Sequence, residues 1–527
     1  MISGENFIGS ERSAKGSKKF KTFNPVLNLE NEVEYVEATT EEIGSAVEKA
    51  WLAFDSFKQI PGVQRAKFLN SIADEILNLG DELVQTYMAE SGLPEPRCIG
   101  ERGRTVFQLR SFAELLEEGS WVEARIDTAI PDRSPIPKLD LRKMNVPIGP
   151  IVVFGASNFP LAYSTAGGDT ASALAAGCPV IIKSHPMHAG TSELVASAVI
   201  KAAKETGMPE GVFSNLNSSG IEVGIQLVKH PKVKGVGFTG SIRGGRALFD
   251  LAAQREEPIP VFAEMGSINP VVLMPEYLSK HAEEAAQTYA GSITLGMGQF
   301  CTNPGLILGL KGTDLTRFVQ VLGEKIVEIQ PASMLHPTIE SNFSAGKKMM
   351  TANSVEVVSN YSNEVQPNFA RQMVATVSGE KFLENTNLHQ EVFGPFSLVV
   401  QCDSIDQLRA IIQNLEGQLT GTILAEENEL SSNPEVVNDL KERVGRIIFN
   451  GVPTGVEVCP SMLHGGPYPA STDSRFTAVG TDSIQRWVRP VSFQNWPDTA
   501  LPAELKNDNP LNIIRKVDNV DTRDKIG

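Results

Sequence analysis

The sequence predicts an α/β protein with parallel sheets in more than one lobe. Three observations lead there. Short apolar runs at 151–154, 180–183 and 233–238 each stop at a glycine or polar turn, as strands buried on both sheet faces do. Stretches with helical spacing lie between such runs, which is the βαβ alternation. The 527 residues, 41% hydrophobic and 21% charged, are enough for two or three lobes with large cores.

Charge and cysteine usage narrow the function classes. The net charge of −16 argues against nucleic acid or an anionic membrane as partner. It leaves room for an anionic small substrate, since a local basic pocket can oppose the global field. Five scattered cysteines, Cys98, Cys178, Cys301, Cys402 and Cys459, form no CxxC pair. Neither a disulfide framework nor a metal site is expected. A reducing cytoplasm is the expected location. The polar segment 1–25 has no apolar stretch of signal-peptide type, and no run of about 20 apolar residues suggests a membrane span.

In chain order, residues 1–38 read as turns and short strands. Thr39 followed three residues later by Glu42 is a capping-box pattern. It opens a helix on which Ile43, Val47, Ala50, Trp51 and Phe54 share a face. A second helix presents Ala66, Leu69, Ile72, Ala73 and Ile76, with Gly80 as its stop. Arg97, Arg102, Arg104 and Arg110 then cluster in a helix and its entry, in a chain that is otherwise acidic. They read either as a solvated face paired with Glu101, Glu114 and Glu117, or as an anchor for a carboxylate. Residues 121–147, with Pro131, Pro135 and Pro137, read as a projecting edge hairpin.

The run 151–154 leads to Gly155 and Asn158, whose amide at a strand's carboxyl end is placed to donate to an oxyanion. A small-residue helix, 170–176, precedes the unit GCPVIIK at 177–183, in which Cys178 reads as buried and inert. Lys183 closes the strand. The strand 233–238 enters TGSIRGGR at 239–246, a glycine turn opening a helix, where free N–H groups and the helix dipole suit a pyrophosphate. Glu264 stands between an apolar run and the turn at Gly266, and a carboxylate there can act as general base. Cys301 lies in GMGQFCTNPG, 296–305, a setting that presents a thiol with its own N–H available. A second α/β lobe follows. The loops 451–455 and 464–469 read as neighbours of a substrate mouth. Arg475 is read as supporting a subunit interface, and 485–527 as a tail wrapping the hairpin or a neighbouring subunit.

The segments EMGSINP at 264–270 and GQFC at 298–301 together resemble the aldehyde dehydrogenase superfamily, whose motifs read E-x-G-G-x-x-P and G-Q-x-C. Ser267 replaces one motif glycine. The spacing of the two segments fits, and the resemblance extends over nearly the whole chain. It implies two Rossmann-like α/β lobes, one for cofactor (1–120 and 148–275) and one catalytic (276–480). It also implies a small β oligomerisation hairpin with a C-terminal tail (121–147 and 481–527), and hence a homodimer or homotetramer. By the same resemblance Cys301 is the nucleophile, Glu264 the base and Asn158 the second oxyanion donor. Lys183, with Ser184 and His185, is matched to the adenosine ribose or a 2′-phosphate. Gly240, Ser241 and Gly245 are matched to the pyrophosphate, and Glu391 and Phe393, in the motif EVFGP at 391–395, to the nicotinamide end. Pro186 stands where NAD-selective members carry a glutamate, so the cofactor is expected to be NADP or NAD. Counting back from Arg110, which matches a family arginine, places Arg104 on a position that lines the substrate tunnel. Phe159 joins it as a substrate contact.

Within the superfamily the likeness is greatest to α-ketoglutaric semialdehyde (2,5-dioxopentanoate) dehydrogenases, carried by GERGRT at 100–105, KSHP at 183–186 and HGGPYPAS at 464–471. A carboxylate-bearing semialdehyde accounts for the arginine cluster. The runner-up is an NADP-dependent dehydrogenase for long-chain aldehydes. Two other function classes fit the sequence less well. A cofactor-free cysteine hydrolase lacks a histidine in any recognisable pattern with Cys301. A non-catalytic binding protein on the same fold would be expected to lose Cys301 or Glu264.

Overall fold

The computed structural model describes residues 2–353 and 355–527. The chain builds two seven-stranded sheets and one five-stranded sheet, with a separate two-stranded ribbon near its start. In the first sheet the order is Val261–Glu264, Gly235–Thr239, Ile151–Phe154, Val180–Lys183, Phe213–Leu216, Asn6–Ile8, Glu11–Ser13. The five strands from Val261–Glu264 to Phe213–Leu216 run parallel, and Asn6–Ile8 pairs antiparallel with both of its neighbours, Phe213–Leu216 and Glu11–Ser13. Their side chains are almost all buried, as strands covered on both faces require. From Ile151–Phe154 the chain winds outward first on one side and then on the other. The strand order therefore reverses between Ile151–Phe154 and Gly235–Thr239, and such a reversal leaves a crevice at the carboxyl ends.

Register brings the functional segments to that edge. Phe154 pairs with Lys183 and with Phe238, and Thr239 pairs with Glu264. The turns bearing Asn158, His185, Ser241 and Gly266 thus leave the sheet at one level. The second sheet is ordered Glu356–Asn360, Met373–Ser378, Phe396–Cys402, Leu306–Leu310, Val271–Leu273, Gln418–Leu424, Val444–Phe449. It is parallel apart from its first strand. Against the expected division at 275, the strand Val271–Leu273 already lies in this second sheet, so the chain crosses between sheets within 265–270. Cys301 sits just before Leu306–Leu310. The carboxyl edge of one sheet therefore faces the amino edge of the other, and the site lies in the seam.

The helices form as their spacing dictates. Thr39 caps Thr40–Phe57 with a complete capping box, Glu42 N–H donating to Thr39 Oγ1 and Thr39 N–H to Glu42 Oε2. Ile43, Val47 and Ala50 are buried, whereas Trp51 and Phe54 sit at the rim, with Lys232 and Lys234 over the Trp51 ring. Gly62–Asn78 buries its whole predicted face, and Gly80, at φ +55°, breaks it from the next helix, Gly80–Ser91.

The segment 121–147 differs from a projecting edge hairpin. Its strands Arg125–Asp127 and Leu141–Pro147 are interior members of the five-stranded sheet, flanked by Arg515–Val517 and Val488–Gln494 from the C-terminal segment. Pro131, Pro135 and Pro137 fall in the connection between the two strands, so they remove no ladder hydrogen bond. Pro490 lies instead in the edge strand Val488–Gln494, where a missing N–H is tolerated.

A buried ion pair fastens this C-terminal segment to the first lobe. Arg486 Nη1 lies 2.8 Å from Asp169 Oδ1, both groups nearly excluded from water, and Trp487 Nε1 donates to Ser172 Oγ at 2.8 Å. Removing one partner leaves a buried charge uncompensated. Arg486→Met is expected to lower unfolding free energy by about 3–5 kcal/mol in denaturant titration; a loss under about 1 kcal/mol would show that the pair does not hold the segment.

Candidate active site

Cys301 is held by a turn that few sequences could adopt. Gly296, Met297 and Gly298 all take left-handed backbone angles, at φ +54°, +53° and +64°. A Cβ on Gly298 would lie 2.2 Å from the Gly394 carbonyl carbon and 2.5 Å from Pro395 N, so glycine is obligatory there. Asn269, itself at φ +47°, donates from Nδ2 to the carbonyls of Cys301 and Asn303, each at 2.9 Å. Asn269 Oδ1 accepts from Ser267 Oγ and Thr420 Oγ1. Ser267, the departure from the motif glycine, is thus part of the clamp. The Cys301 backbone N–H has no partner among the described residues.

Asn158 and Glu264 meet Cys301 around one cleft. Asn158 Nδ2 donates to the Gln299 carbonyl at 3.0 Å, which uses one amide hydrogen and leaves the other. The loop carrying Asn158 is pinned by Glu101, whose Oε1 accepts from the N–H groups of Leu161 and Ala162 at 2.8 and 2.9 Å. Glu264 ends its strand and is 4% exposed. Burial, aided by the nearby carboxylates of Glu264 and Glu391, pushes the Cys301 thiol well above its ordinary range.

A residue that the sequence reading left at the mouth lies in the centre. His464 is buried, with Nε2 3.5 Å from Cys301 Sγ and 3.0 Å from Glu264 Oε1. The approach to Glu264 is off the line of a hydrogen bond, and both carboxylate oxygens lack a donor. A histidine therefore does accompany Cys301, although no pattern in the sequence pairs the two. The physical cause is the segment 470–472, which lies along the edge strand Val261–Glu264. Met265 N–H donates to the Ala470 carbonyl at 2.8 Å and Thr472 N–H to that of Ala263 at 3.1 Å. No spacing in the sequence signals this pairing.

On one side of Cys301 is a cavity of about 240 Å³. Phe159, Tyr163 and Phe300 form an aromatic wall, with Phe159 edge-on to both of the others. Arg104 reaches this cavity. Its Nη1 donates to the Val456 carbonyl and Nη2 to Tyr163 Oη at 3.3 Å, while its buried Nε has no partner. Arg97 lies over the rings of Phe159 and Phe300 and pairs with Glu101 at 3.5 Å. Arg110 is on the surface with Asp74, so the cluster divides between pocket and solvent. Arg446, which no motif signals, donates to the Pro453 and Gly455 carbonyls and so shapes the rim of the cavity. Arg475 is exposed and chelated by Asp473.

On the other side of Cys301 is a cleft of about 290 Å³ bordered by Gly240, Ser241, Glu391 and Phe393. Ser241 caps the helix Ile242–Ala253 by accepting from Gly244 N–H at 3.2 Å. The turn and the helix N-terminus suit a pyrophosphate. Burial raises the Glu391 carboxyl to about 7, opposed by the Ser267 N–H, and a Cβ at Gly266 would lie 2.5 Å from Glu391 Oε2. Burial lowers the Lys183 ammonium to about 8, with Glu37 opposing. These features fit a nicotinamide dinucleotide.

Three predicted cofactor residues are placed differently. Ser184 is fully buried, its Oγ donating to Asn217 Oδ1 at 3.1 Å, because it is the first residue past a strand whose alternation turns it inward. Gly245 faces the sheet: a Cβ there would lie 2.6 Å from Met265 Sδ, so this glycine permits helix–strand packing. His185 Nδ1 accepts from Met187 N–H, its ring stacks on His188, and burial holds it neutral, so it supplies no charge for a phosphate.

The aldehyde dehydrogenase family model matches residues 12–476. The chain is 45% identical over 517 residues to alpha-ketoglutaric semialdehyde dehydrogenase 2 of Azospirillum brasilense, covering 98% of each chain. It is 44% identical over 531 residues to alpha-ketoglutaric semialdehyde dehydrogenase of Acinetobacter baylyi, covering 99% of each. Among solved structures, betaine aldehyde dehydrogenase of Staphylococcus aureus in complex with NAD+ superposes with a TM-score of 0.81 at 19% identity, over 94% of this chain and 96% of that one. Methylmalonate-semialdehyde dehydrogenase of Oceanimonas doudoroffii gives 0.80 at 16% identity, over 94% and 99%. The fold, the paired motifs and these relatives agree: the chain belongs to the aldehyde dehydrogenase family and is an NAD(P)-dependent oxidoreductase that converts an aldehyde to its acid.

Proposed function

We propose that the enzyme oxidises 2,5-dioxopentanoate to 2-oxoglutarate, the reaction suggested by the names of the relatives from A. brasilense and A. baylyi. The observation that carries this reading is the shape and charge of the substrate cavity. At about 240 Å³ it falls below the usual range for drug-sized ligands, and it suits a five-carbon substrate. Arg104, whose Nε has no partner among the described residues, gives it a positive wall in a chain of net charge −16, while Arg97 is offset by Glu101 in the same lining. A substrate carboxylate held at Arg104 directs the aldehyde inward to Cys301.

In the mechanism, Cys301 loses its proton toward His464 and Glu264, whose acceptor atoms face it. The sulfur attacks the aldehyde carbon. The oxyanion is stabilised by the Cys301 N–H and the free amide hydrogen of Asn158, donors of a kind worth about 3 kcal/mol each. Gly240 and Ser241 would hold the pyrophosphate, and Glu391 and Phe393 the nicotinamide end, of a dinucleotide that would supply the hydride acceptor for oxidation to the thioester. Glu264 then takes a proton from water, which attacks the thioester and releases the acid. Lys183 bears on the adenosine ribose. With Pro186 leaving no carboxylate in that turn, NADP is accommodated as well as NAD.

We infer a cytoplasmic enzyme, because a thiol nucleophile needs a reducing compartment. A homo-oligomer is supported by the exposed aliphatic side chains Ile130, Ile136, Leu139 and Leu141 on the hairpin segment.

Three outcomes test this reading. Glu264→Gln is expected to keep a stoichiometric burst of reduced cofactor in stopped-flow absorbance while steady turnover falls; equal loss of both would remove Glu264 from deacylation. Arg104→Met is expected to raise KM for 2,5-dioxopentanoate by about tenfold or more, the scale of a charged hydrogen bond, with little change for a neutral aldehyde. Equal effects on both, or a higher kcat/KM for decanal than for 2,5-dioxopentanoate in the unaltered enzyme, would favour the long-chain reading. Because the Lys183 ammonium is depressed to about 8, it is charged at pH 7 and loses its charge above pH 8. The Kd of NADP+ is therefore expected to rise by about tenfold between about pH 7 and 9 while that of NAD+ changes little; parallel curves would place the lysine away from a 2′-phosphate.

A further inference from the structure

Cys301 Sγ, His464 Nε2 and an oxygen of Glu264 all lie within 4.8 Å of one another. They come from three separate segments and from three elements of different softness. Glu264 and His464 are 4% and 2% exposed, and among the described residues no aligned nitrogen or hydroxyl donor reaches either carboxylate oxygen, which leaves the Cys301 thiol as its neighbour. A buried carboxylate without a donor is rare and calls for a partner. The dehydrogenase cycle uses these groups for proton transfer and attack, and none of its steps gathers all three as donors to one atom.

We propose that these three side chains form a zinc site, and that Zn2+ bound there holds the enzyme in a reversible inactive state. Tetrahedral zinc with sulfur at about 2.3 Å and nitrogen at about 2.0 Å sets those two ligand atoms about 3.5 Å apart. The observed Sγ–Nε2 separation is 3.5 Å. The Nε2–Oε1 separation of 3.0 Å is slightly under the tetrahedral edge of about 3.3 Å, and the Sγ–carboxylate edge, within 4.8 Å, closes toward about 3.5 Å by rotation of the Glu264 carboxylate. Thiolate, imidazole and carboxylate is a borderline-soft set that suits zinc, whereas Mg2+ and Ca2+ demand more oxygen ligands than the site offers. Cys301 also lines the substrate cavity, which gives an entry path and a fourth position for water.

The exchange balances without a redox partner. Zn2+ replaces the thiol proton, an S–Zn bond forms, and the proton leaves to solvent. With the sulfur lone pair engaged and the Glu264 carboxylate coordinated, neither acylation nor deacylation proceeds. A chelator reverses the process by taking the metal and returning a proton to the thiol. The inhibitory consequence rests on the reading of Cys301 as nucleophile; the binding itself needs only the three donors.

The test uses the full chain, freed of metal with EDTA and dialysed. Calorimetric titration with ZnCl2 is expected to show one ion per chain, with aldehyde oxidation lost in step and restored by EDTA. Titration with Co2+ is expected to give a sulfur-to-cobalt charge-transfer band in the near ultraviolet, absent from Cys301→Ser. His464→Phe is expected to weaken zinc binding by more than about tenfold. His464→Gln provides the same comparison should the phenylalanine variant melt early. No binding of zinc by the unaltered chain, equal affinity in the folded His464 variants, or survival of the band in Cys301→Ser would each overturn the site. A chain that binds zinc as described yet fails to oxidise 2,5-dioxopentanoate supports the site and refutes the proposed substrate.

Discussion

The structure depends on the clamp that Asn269 makes across the seam between the two large sheets. Its amide binds the carbonyls on either side of Thr302, and its oxygen is held by Ser267 and Thr420. Gln418 Oε1 secures the same crossing by accepting from Ile268 N–H at 2.7 Å. One fully buried side chain thereby joins the segment leaving Glu264, the segment holding Cys301 and the strand Gln418–Leu424. Buried networks of this kind specify a single arrangement when every member is satisfied. The relative position of acid and thiol, which are separated by 36 intervening residues of sequence, is fixed by this network.

Charge around the thiol is sorted by side. Glu264 and Glu391 face Cys301, and burial first, with these carboxylates added to it, holds the thiol protonated at rest. Arg97, Arg104 and Arg446 gather toward the substrate cavity and its rim. Carboxylates thus lie toward one side of the sulfur and guanidinium groups toward the other, where Glu101 offsets Arg97 and leaves Arg104 as the cation of the cavity lining without an acidic partner among the described residues. This ordering is built from side chains of three distant segments, against the global charge of the chain.

How much of this was legible in the sequence depends on the range of each interaction. Local signals read well: the box made by Thr39 and Glu42, the apolar strands, the glycines around Cys301, and the Glu264 motif all act within a few residues. Paired motifs brought Cys301, Glu264 and Asn158 to one place. Long-range strand pairing did not read. His464 lies 163 residues from Cys301 and arrives through the sheet-edge segment 470–472, which carries no strand pattern. The interior position of the hairpin strands depends on partners more than 300 residues away. Ser184 and Gly245 had the right residue types on the right segments, but side-chain direction at a strand end and on a helix is set by packing that spacing alone does not reveal.

The contact of Gly298 with Gly394 and Pro395 leaves no slack between the thiol turn and the segment carrying Glu391 and Phe393, and Asn303 Nδ2 ties the two again at the Gly394 carbonyl. The wall that carries Glu391 and Phe393 and the turn that presents the sulfur are a single stiff piece. A substitution that shifts the segment bearing Glu391 and Phe393 is therefore felt at the sulfur, even where no atom in contact with the thiol has been changed.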